Sequence, residues 1–385
     1  MSATTTCKVC AKKKEKRNSM KIAFIGGRDI HLLGGIENYM LNLATHLAAM
    51  GHEPIVYCES DHDGTEYVNG FKVVHHRSVG GRFLCKILLS FRSTIDALCR
   101  EKGVEYFHYN AWPPSLWSWI PRLCGRKALL QGHGLEWKRT KYSPMQRRIM
   151  HFMEWLTAKM HRNIIVVSNE QRDYFAKQYN RHCVTIPTAI SLPDPAETDS
   201  DILARYGLEK GGYFLYLGRL VQDKNPDYLI RAYKASDITD KKLVIAGSND
   251  ALPDYVAALH ALGKGCDRII FTGAVYGKDK NTLLSNCFAF CIPSTIEGLA
   301  ITLLEAMSYA RLCIASDIPA NREGLGDDGI WVQAEDESDL ADKLRYTVEH
   351  YADLAHLETK NYNRVREHFT WDKISAQYAE YLKSL

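Results

Sequence analysis

Long apolar runs are missing from this 385-residue chain. No stretch approaches the ~18 uninterrupted apolar residues that a membrane span requires. The first twenty residues lack an apolar core as well; they are polar and carry Lys12, Lys13, Lys14, Lys16 and Arg17. A secretory signal is therefore not expected, and residues 1–19 read as a basic, disordered leader. Met20 opens the first strand pattern and is a candidate functional start. Short internal repeats are absent, and so are low-complexity tracts beyond the leader, so a repeat architecture is not expected. The turn after the first strand, Gly26-Gly27-Arg28-Asp29-Ile30-His31, does not spell G-x-G-x-x-G, which weakens a dinucleotide-binding reading. Cys7 and Cys10 are a close pair without the two further ligands of a zinc knuckle.

What is present describes a globular protein large enough for two domains, with 46% apolar and 24% charged residues. The eleven cysteines are odd in number and lie mainly in apolar segments, which suits free thiols in a reducing, cytoplasmic compartment. The net charge of +4 hides an asymmetry: residues 1–190 hold 28 Lys and Arg against 15 Asp and Glu, leaving 21 against 30 in the remainder. A basic first half suits an anionic lipid surface or a phosphorylated acceptor; ordinary solvation of each half accounts for it equally well.

Short apolar runs alternate with helix-period segments from Lys21 onward. Strand patterns fall at Lys21–Gly26, Pro54–Cys58, Phe71–His75, Val104–Tyr109, Lys127–Gln131 and Asn163–Ser168. The pattern restarts after Pro187, Pro193 and Pro195 with Gly212–Gly218, Leu243–Gly247, Arg268–Gly273, Cys287–Ile292 and Leu312–Ala315. Strand and helix alternating in this way predict an α/β fold with parallel sheets covered on both faces. The expectation is two doubly wound domains, 20–190 and 191–370, with one cleft between the carboxyl ends of their strands.

The strongest chemical signal is Ser294–Ser308 (STIEGLAITLLEAMS), which follows a strand and opens a helix near Leu299. Glu297 precedes the helix and Glu305 lies within it, about two turns on at ~12 Å. Between them the backbone N–H groups of Leu299, Ala300 and Ile301 form a helix start, which favours a phosphate. Acceptor, anion hole, acceptor matches the hydroxyls, diphosphate and hydroxyls of a nucleotide sugar. One carboxylate would take the sugar and the other the ribose. Glu305 sits in an otherwise apolar run, so its charge requires a partner. A pair of glutamates solvating a core helix is the plainer reading of the same residues.

This segment resembles the E-x7-E signature of retaining GT-B glycosyltransferases of family 4. Gly218–Lys224 (GRLVQDK) resembles the family loop whose arginine and lysine hold the donor diphosphate, which implies that role for Arg219 and Lys224. Phe271–Gly277 resembles the segment facing the base, near Val275, and Ser316–Glu323 the stretch after the signature helix. In the first half, Gly34-Gly35-Ile36-Glu37 resembles the glycine loop before the first long helix. Gly132-His133-Gly134 resembles the histidine site near the transferred sugar, and Leu135–Arg139 resembles a bacterial subgroup that builds surface polysaccharides. The resemblance implies His133, Glu297, Arg219 and Lys224 as catalytic, with Gly34, Gly35, Val275, Gly298, Leu299, Ala300, Ile301 and Glu305 also on the donor. It implies a GT-B fold in which residues 371–385 return to the acceptor-side first domain, and a cytoplasmic enzyme moving a hexose-type sugar to a glycan or lipid-linked acceptor. It implies retention of anomeric configuration and no metal or other cofactor. The sequence departs from the family at Ala300 and Asn225, where glycine is common, and at Thr188, where asparagine is usual.

Other features are weaker. Arg28 stands at a strand end, where an acceptor carboxylate or phosphate could use it. Asp61-His62-Asp63 looks like a metal-holding D-x-D but reads as a solvated loop. His75 and His76 have no acidic companion at ligand spacing and read as strand-end packing. Lys138 to Arg162 is basic with interleaved Tyr142, Phe152 and Trp155, fitting either an anionic membrane surface or a sheet-covering helix with a solvated cationic face. The basic residues form no continuous stripe for nucleic acid. A non-catalytic sugar-nucleotide-binding subunit, a nicotinamide-dependent two-domain dehydrogenase, and a relative that isomerises or hydrolyses its nucleotide sugar are the alternative functions.

Overall fold

A computed structural model describes residues 19–32, 35–78, 82–135, 137 and 143–385, except the side chains of 82–84. Gly34, Cys7, Cys10, the leader lysines, Glu136, Lys138, Arg139 and Tyr142 lie outside the described residues. The chain forms two compact units. The first holds the described residues up to Pro187 together with Trp371–Leu385; the second is Thr188–Thr370.

The first unit is built on an eight-stranded sheet in the order β3-β4-β2-β1-β5-β6-β7-β8. The strands are β1 (Lys21–Gly27), β2 (Glu53–Ser60), β3 (Gly64–Val68), β4 (Phe71–Arg77), β5 (Tyr106–Asn110), β6 (Lys127–Gly132), β7 (Asn163–Val166) and β8 (Val184–Thr185). Every pairing is parallel except β3 with β4. The apolar runs of β1 and β5 are buried, as strands covered on both faces must be. The Trp371–Ser384 helix supplies Trp371, Ile374, Tyr378 and Leu382 to this unit's core. Tyr378 Oη lies 2.7 Å from Nδ1 of the buried His108, and burial holds that imidazole down at about 3, so it is neutral.

The second unit has six parallel strands in the order β11-β10-β9-β12-β13-β14. These are β9 (Tyr213–Leu217), β10 (Lys242–Ala246), β11 (Ile269–Gly273), β12 (Ala289–Ile292), β13 (Leu312–Ser316) and β14 (Ile330–Val332). Strand order reverses between β9 and β12, which pair directly through Ala289 with Phe214 and Phe290 with Leu215. The loops leaving these two strands therefore emerge side by side, the position where open α/β sheets bind ligands. Gly247 keeps the neighbouring loop close, because a Cβ there would fall 1.9 Å from the Gly218 carbonyl oxygen.

The edge strands β3, β8 and β14 escape the sequence reading. The nine described cysteines are free thiols, but Cys99 and Cys124 are exposed rather than buried.

Candidate active site

The site is assembled by the loops after β9 and β12. After β9, Tyr216 donates its hydroxyl to the Arg219 carbonyl at 2.9 Å and folds the chain back. Residues Gln222–Lys224 then make one 3-10 turn, closed by Asn225 in the left-handed region at φ 47°. Asparagine tolerates this conformation, as glycine does, which explains the departure at this position. Asn225 Nδ2 donates to the Pro293 carbonyl at 3.0 Å, and the Thr295 N–H donates to the Asp223 carbonyl at 2.9 Å. These bonds stitch one loop to the other.

The stitching places Lys224 Nζ 2.7 Å from Glu297 Oε1. Both side chains are mostly sheltered, 19% and 11% exposed. Burial, with the Glu297 charge second, pushes the Tyr216 hydroxyl well above its ordinary value. Arg219 is exposed and its guanidinium makes no ion pair among the described residues.

The signature helix begins at Ile301, not near Leu299. Leu299 and Ala300 are buried in the approach to it, so the Glu297–Glu305 interval is only partly helical. The N-cap is Ala300, in extended conformation and without a side-chain cap. Capping side chains normally satisfy first-turn N–H groups; here no side chain caps them, although the Leu303 N–H donates to the Ala300 carbonyl at 3.1 Å. Gly298 and Ile301 are half-buried beside them. Glu305 has the partner its apolar surroundings demanded: Lys280 Nζ lies 2.5 Å from Oε1. Sequence reasoning missed Lys280, along with Tyr216 and Thr295. Val275 packs, half-buried, on the core cluster that includes Leu299 and Ala300.

In the first unit, His133 follows β6 and is half-buried. Its Nε2 lies 3.2 Å from Asn110 Oδ1 at the end of β5. Its ring meets Tyr39 edge-on at 5.2 Å. Gly35 begins the Gly35–Ala49 helix, and a Cβ there would meet no atom within 4 Å. Arg28 is engaged: its Nε and its backbone N–H both donate to Glu37 Oε1, at 3.1 and 3.2 Å. Burial alone would raise the Glu37 carboxyl; Arg28 and backbone N–H groups overcome this and hold it below its ordinary value. The Asp61-His62-Asp63 loop is exposed and internally paired. Asp61 contacts His62, while Asp63 accepts from the Arg77 N–H and from Arg92.

Residues 211–350 match the family described as Glycosyl transferases group 1, and residues 33–192 match Glycosyltransferase Family 4. The chain is a family 4 glycosyltransferase. An uncharacterized glycosyltransferase of Methanocaldococcus jannaschii is 24% identical across 93% of this chain and 96% of its own. An Escherichia coli UDP-Gal:alpha-D-GlcNAc-diphosphoundecaprenol alpha-1,3-galactosyltransferase is 26% identical over 62% of this chain and 64% of its own. The structure of Anabaena HepE in complex with UDP and glucose superposes at a TM-score of 0.77, with 18% identity, 95% of this chain and all of that one covered. The glycosyltransferase thus has the GT-B fold, with two parallel-sheet domains. No helix among its described residues is long and apolar enough to cross a membrane.

Proposed function

We propose that this glycosyltransferase moves a hexose-type sugar from a nucleoside diphosphate donor to a glycan or lipid-linked acceptor, with retention, in cell-surface polysaccharide synthesis. The observation that carries the reading is the Lys224–Glu297 pair, set at the strand-order reversal beside a helix start capped by alanine. Lys224, Arg219 and the N–H groups of Leu299, Ala300 and Ile301 take the diphosphate and stabilise it as it leaves. Glu297 holds the sugar hydroxyls and Glu305 the ribose. The family resemblance also assigns Gly34, Gly35 and His133 to the donor and Val275 to the base.

No protein nucleophile is needed. The acceptor hydroxyl attacks the anomeric carbon on the face the diphosphate leaves, and a donor phosphate oxygen takes its proton. Two cations and a helix start balance the diphosphate, so donor binding requires no metal, and UDP affinity is unchanged by a chelator. The E. coli relative's diphosphoundecaprenol acceptor and the UDP bound to the Anabaena structure support the substrate classes.

The Pro144–Met160 helix supports peripheral contact with the inner face of a membrane. It buries Met153, Thr157 and Ala158 but exposes Met145, Ile149, Phe152 and Trp155 beside Arg147 and Arg148. Such a face suits an anionic lipid interface; Phe152→Ser should reduce co-sedimentation with anionic vesicles.

The deciding experiment is a nucleotide-sugar screen with product analysis. UDP, GDP or dTDP should raise the melting temperature where NAD does not. The matching sugar nucleotide should then give an acceptor product of unchanged anomeric configuration. Nucleotide binding without turnover on any glycan or lipid-linked acceptor would leave a binding subunit instead, and an inverted product would refute the mechanism.

A further inference from the structure

The reading of His75 as strand-end packing without an acidic companion is corrected by the fold, while His76 stays a buried packing residue against the Tyr57 ring. β3 turns back antiparallel on β4 and supplies Glu66, whose Oε1 lies 2.8 Å from His75 Nε2. The loop after β1 brings His31 Nε2 to the same oxygen, also at 2.8 Å. The three ligand atoms lie within 4.8 Å of one another, although they come from three separate segments. Asp29 Oδ1 accepts the His31 N–H at 2.9 Å and fixes the loop that presents it. His75 Nδ1 is buried with no partner among the described residues, so the polar anchoring of that ring is directed into the cluster.

We propose that His31, Glu66 and His75 bind a divalent transition-metal ion of the zinc class. Zinc takes imidazole nitrogen and carboxylate oxygen at about 2.0–2.2 Å, in a tetrahedron whose corners are about 3.3 Å apart. Each imidazole nitrogen need only move out slightly from the shared oxygen, and the two nitrogens, within 4.8 Å of each other, need only close toward one another to enclose the ion. Two imidazoles select zinc-class ions over magnesium and calcium, which take oxygen ligands. Three protein ligands leave a fourth position for water. Burial is graded, with His75 buried, Glu66 half-buried and His31 exposed, so the ion enters from solvent. Once bound, it tethers the loop carrying Arg28 to the β3–β4 hairpin. The site is separate from the donor chemistry and does not depend on it.

The test uses the full chain, stripped with a chelator, desalted and dialysed against zinc chloride. The wild type should bind one zinc per chain, and zinc should raise its melting temperature. Glu66→Gln keeps the size and one hydrogen-bonding oxygen but loses the anionic ligand; it should fold with an unchanged circular dichroism spectrum and bind zinc more than about tenfold more weakly. His75→Ala should do the same. A Cys7→Ser, Cys10→Ser variant controls for the N-terminal cysteine pair and should bind zinc as the wild type does. Cobalt substitution should give d–d bands without a thiolate charge-transfer band. Wild-type zinc affinity in Glu66→Gln, loss of zinc in the double cysteine variant, or no stoichiometric zinc in the wild type would each overturn the proposal.

Discussion

Lys224 and Glu297 satisfy each other's charge, so under the proposed function a donor diphosphate would compete for the lysine or bridge the pair. The ammonium is mostly sheltered from water, which strengthens its charged hydrogen bonds. Lys224→Ala should weaken nucleoside diphosphate binding by roughly 1.5–3 kcal/mol, read by calorimetric titration with UDP or whichever nucleotide the screen selects. An unchanged affinity would remove Lys224 from the site. Arg28 makes a different prediction, because its partner Glu37 is buried. Arg28→Ala leaves that carboxylate short of a donor and should destabilise the protein by about 1–3 kcal/mol at neutral pH. Glu37 titrates below its ordinary value in the folded protein. Its contribution is therefore present above the unfolded pKa and lost as pH falls through the folded one. The gap between wild type and variant should narrow as pH falls below the ordinary glutamate range in urea denaturation; a constant gap would contradict the pairing. At this scale the sequence showed which charges needed partners but not which partners they find. Glu305 in an apolar run demanded a cation, yet nothing near it in sequence pointed to Lys280, 25 positions away on another helix.

The two loops of the site hold their shape through Asn225. Its left-handed backbone and its bond to Pro293 can be separated by substitution. Asn225→Gly keeps the conformation and loses the bond, a cost of about 1 kcal/mol. Asn225→Ala loses both and should cost about 2–3 kcal/mol, with nucleotide affinity falling in the same order. Equal effects in denaturation would mean that the backbone conformation contributes nothing. The long strands were legible because a doubly covered strand must be apolar almost throughout, as Tyr213–Leu217 is. β8 and β14 have two and three residues, too few for a period to register. β3 sits at an edge with half-exposed side chains, so no apolar face marks it. The signature helix was placed two residues early because Leu299 and Ala300 continue its apolar pattern. Periodicity cannot distinguish a buried extended approach from the first turn of a helix.

The two-unit organisation was legible because the strand–helix pattern stops at a proline-rich stretch and begins again. The restart is a property of the whole chain and survives errors in individual boundaries. Periodicity alone does not assign the last helix to a unit, since an amphipathic helix reads the same whichever core receives it. The structure gives it to the first unit. Trp371 lies 5.7 Å from the Tyr39 ring, and Tyr378 stacks near Phe24 at 6.1 Å and bonds His108. Removing Trp371–Leu385 would strip four large side chains from that core, on the order of 6–12 kcal/mol of apolar burial. That is comparable to the total stability of a typical domain. A chain ending at Thr370 should therefore lose the cooperative unfolding and protease resistance of the first unit. The second unit carries Arg219, Lys224, Glu297 and Glu305 within its own fold and should still bind nucleoside diphosphate. Limited proteolysis with mass spectrometry, run beside nucleotide titration, reads both halves of this expectation. A truncated chain whose first unit resists protease as well as the intact protein would show that the terminal helix covers that core without stabilising it.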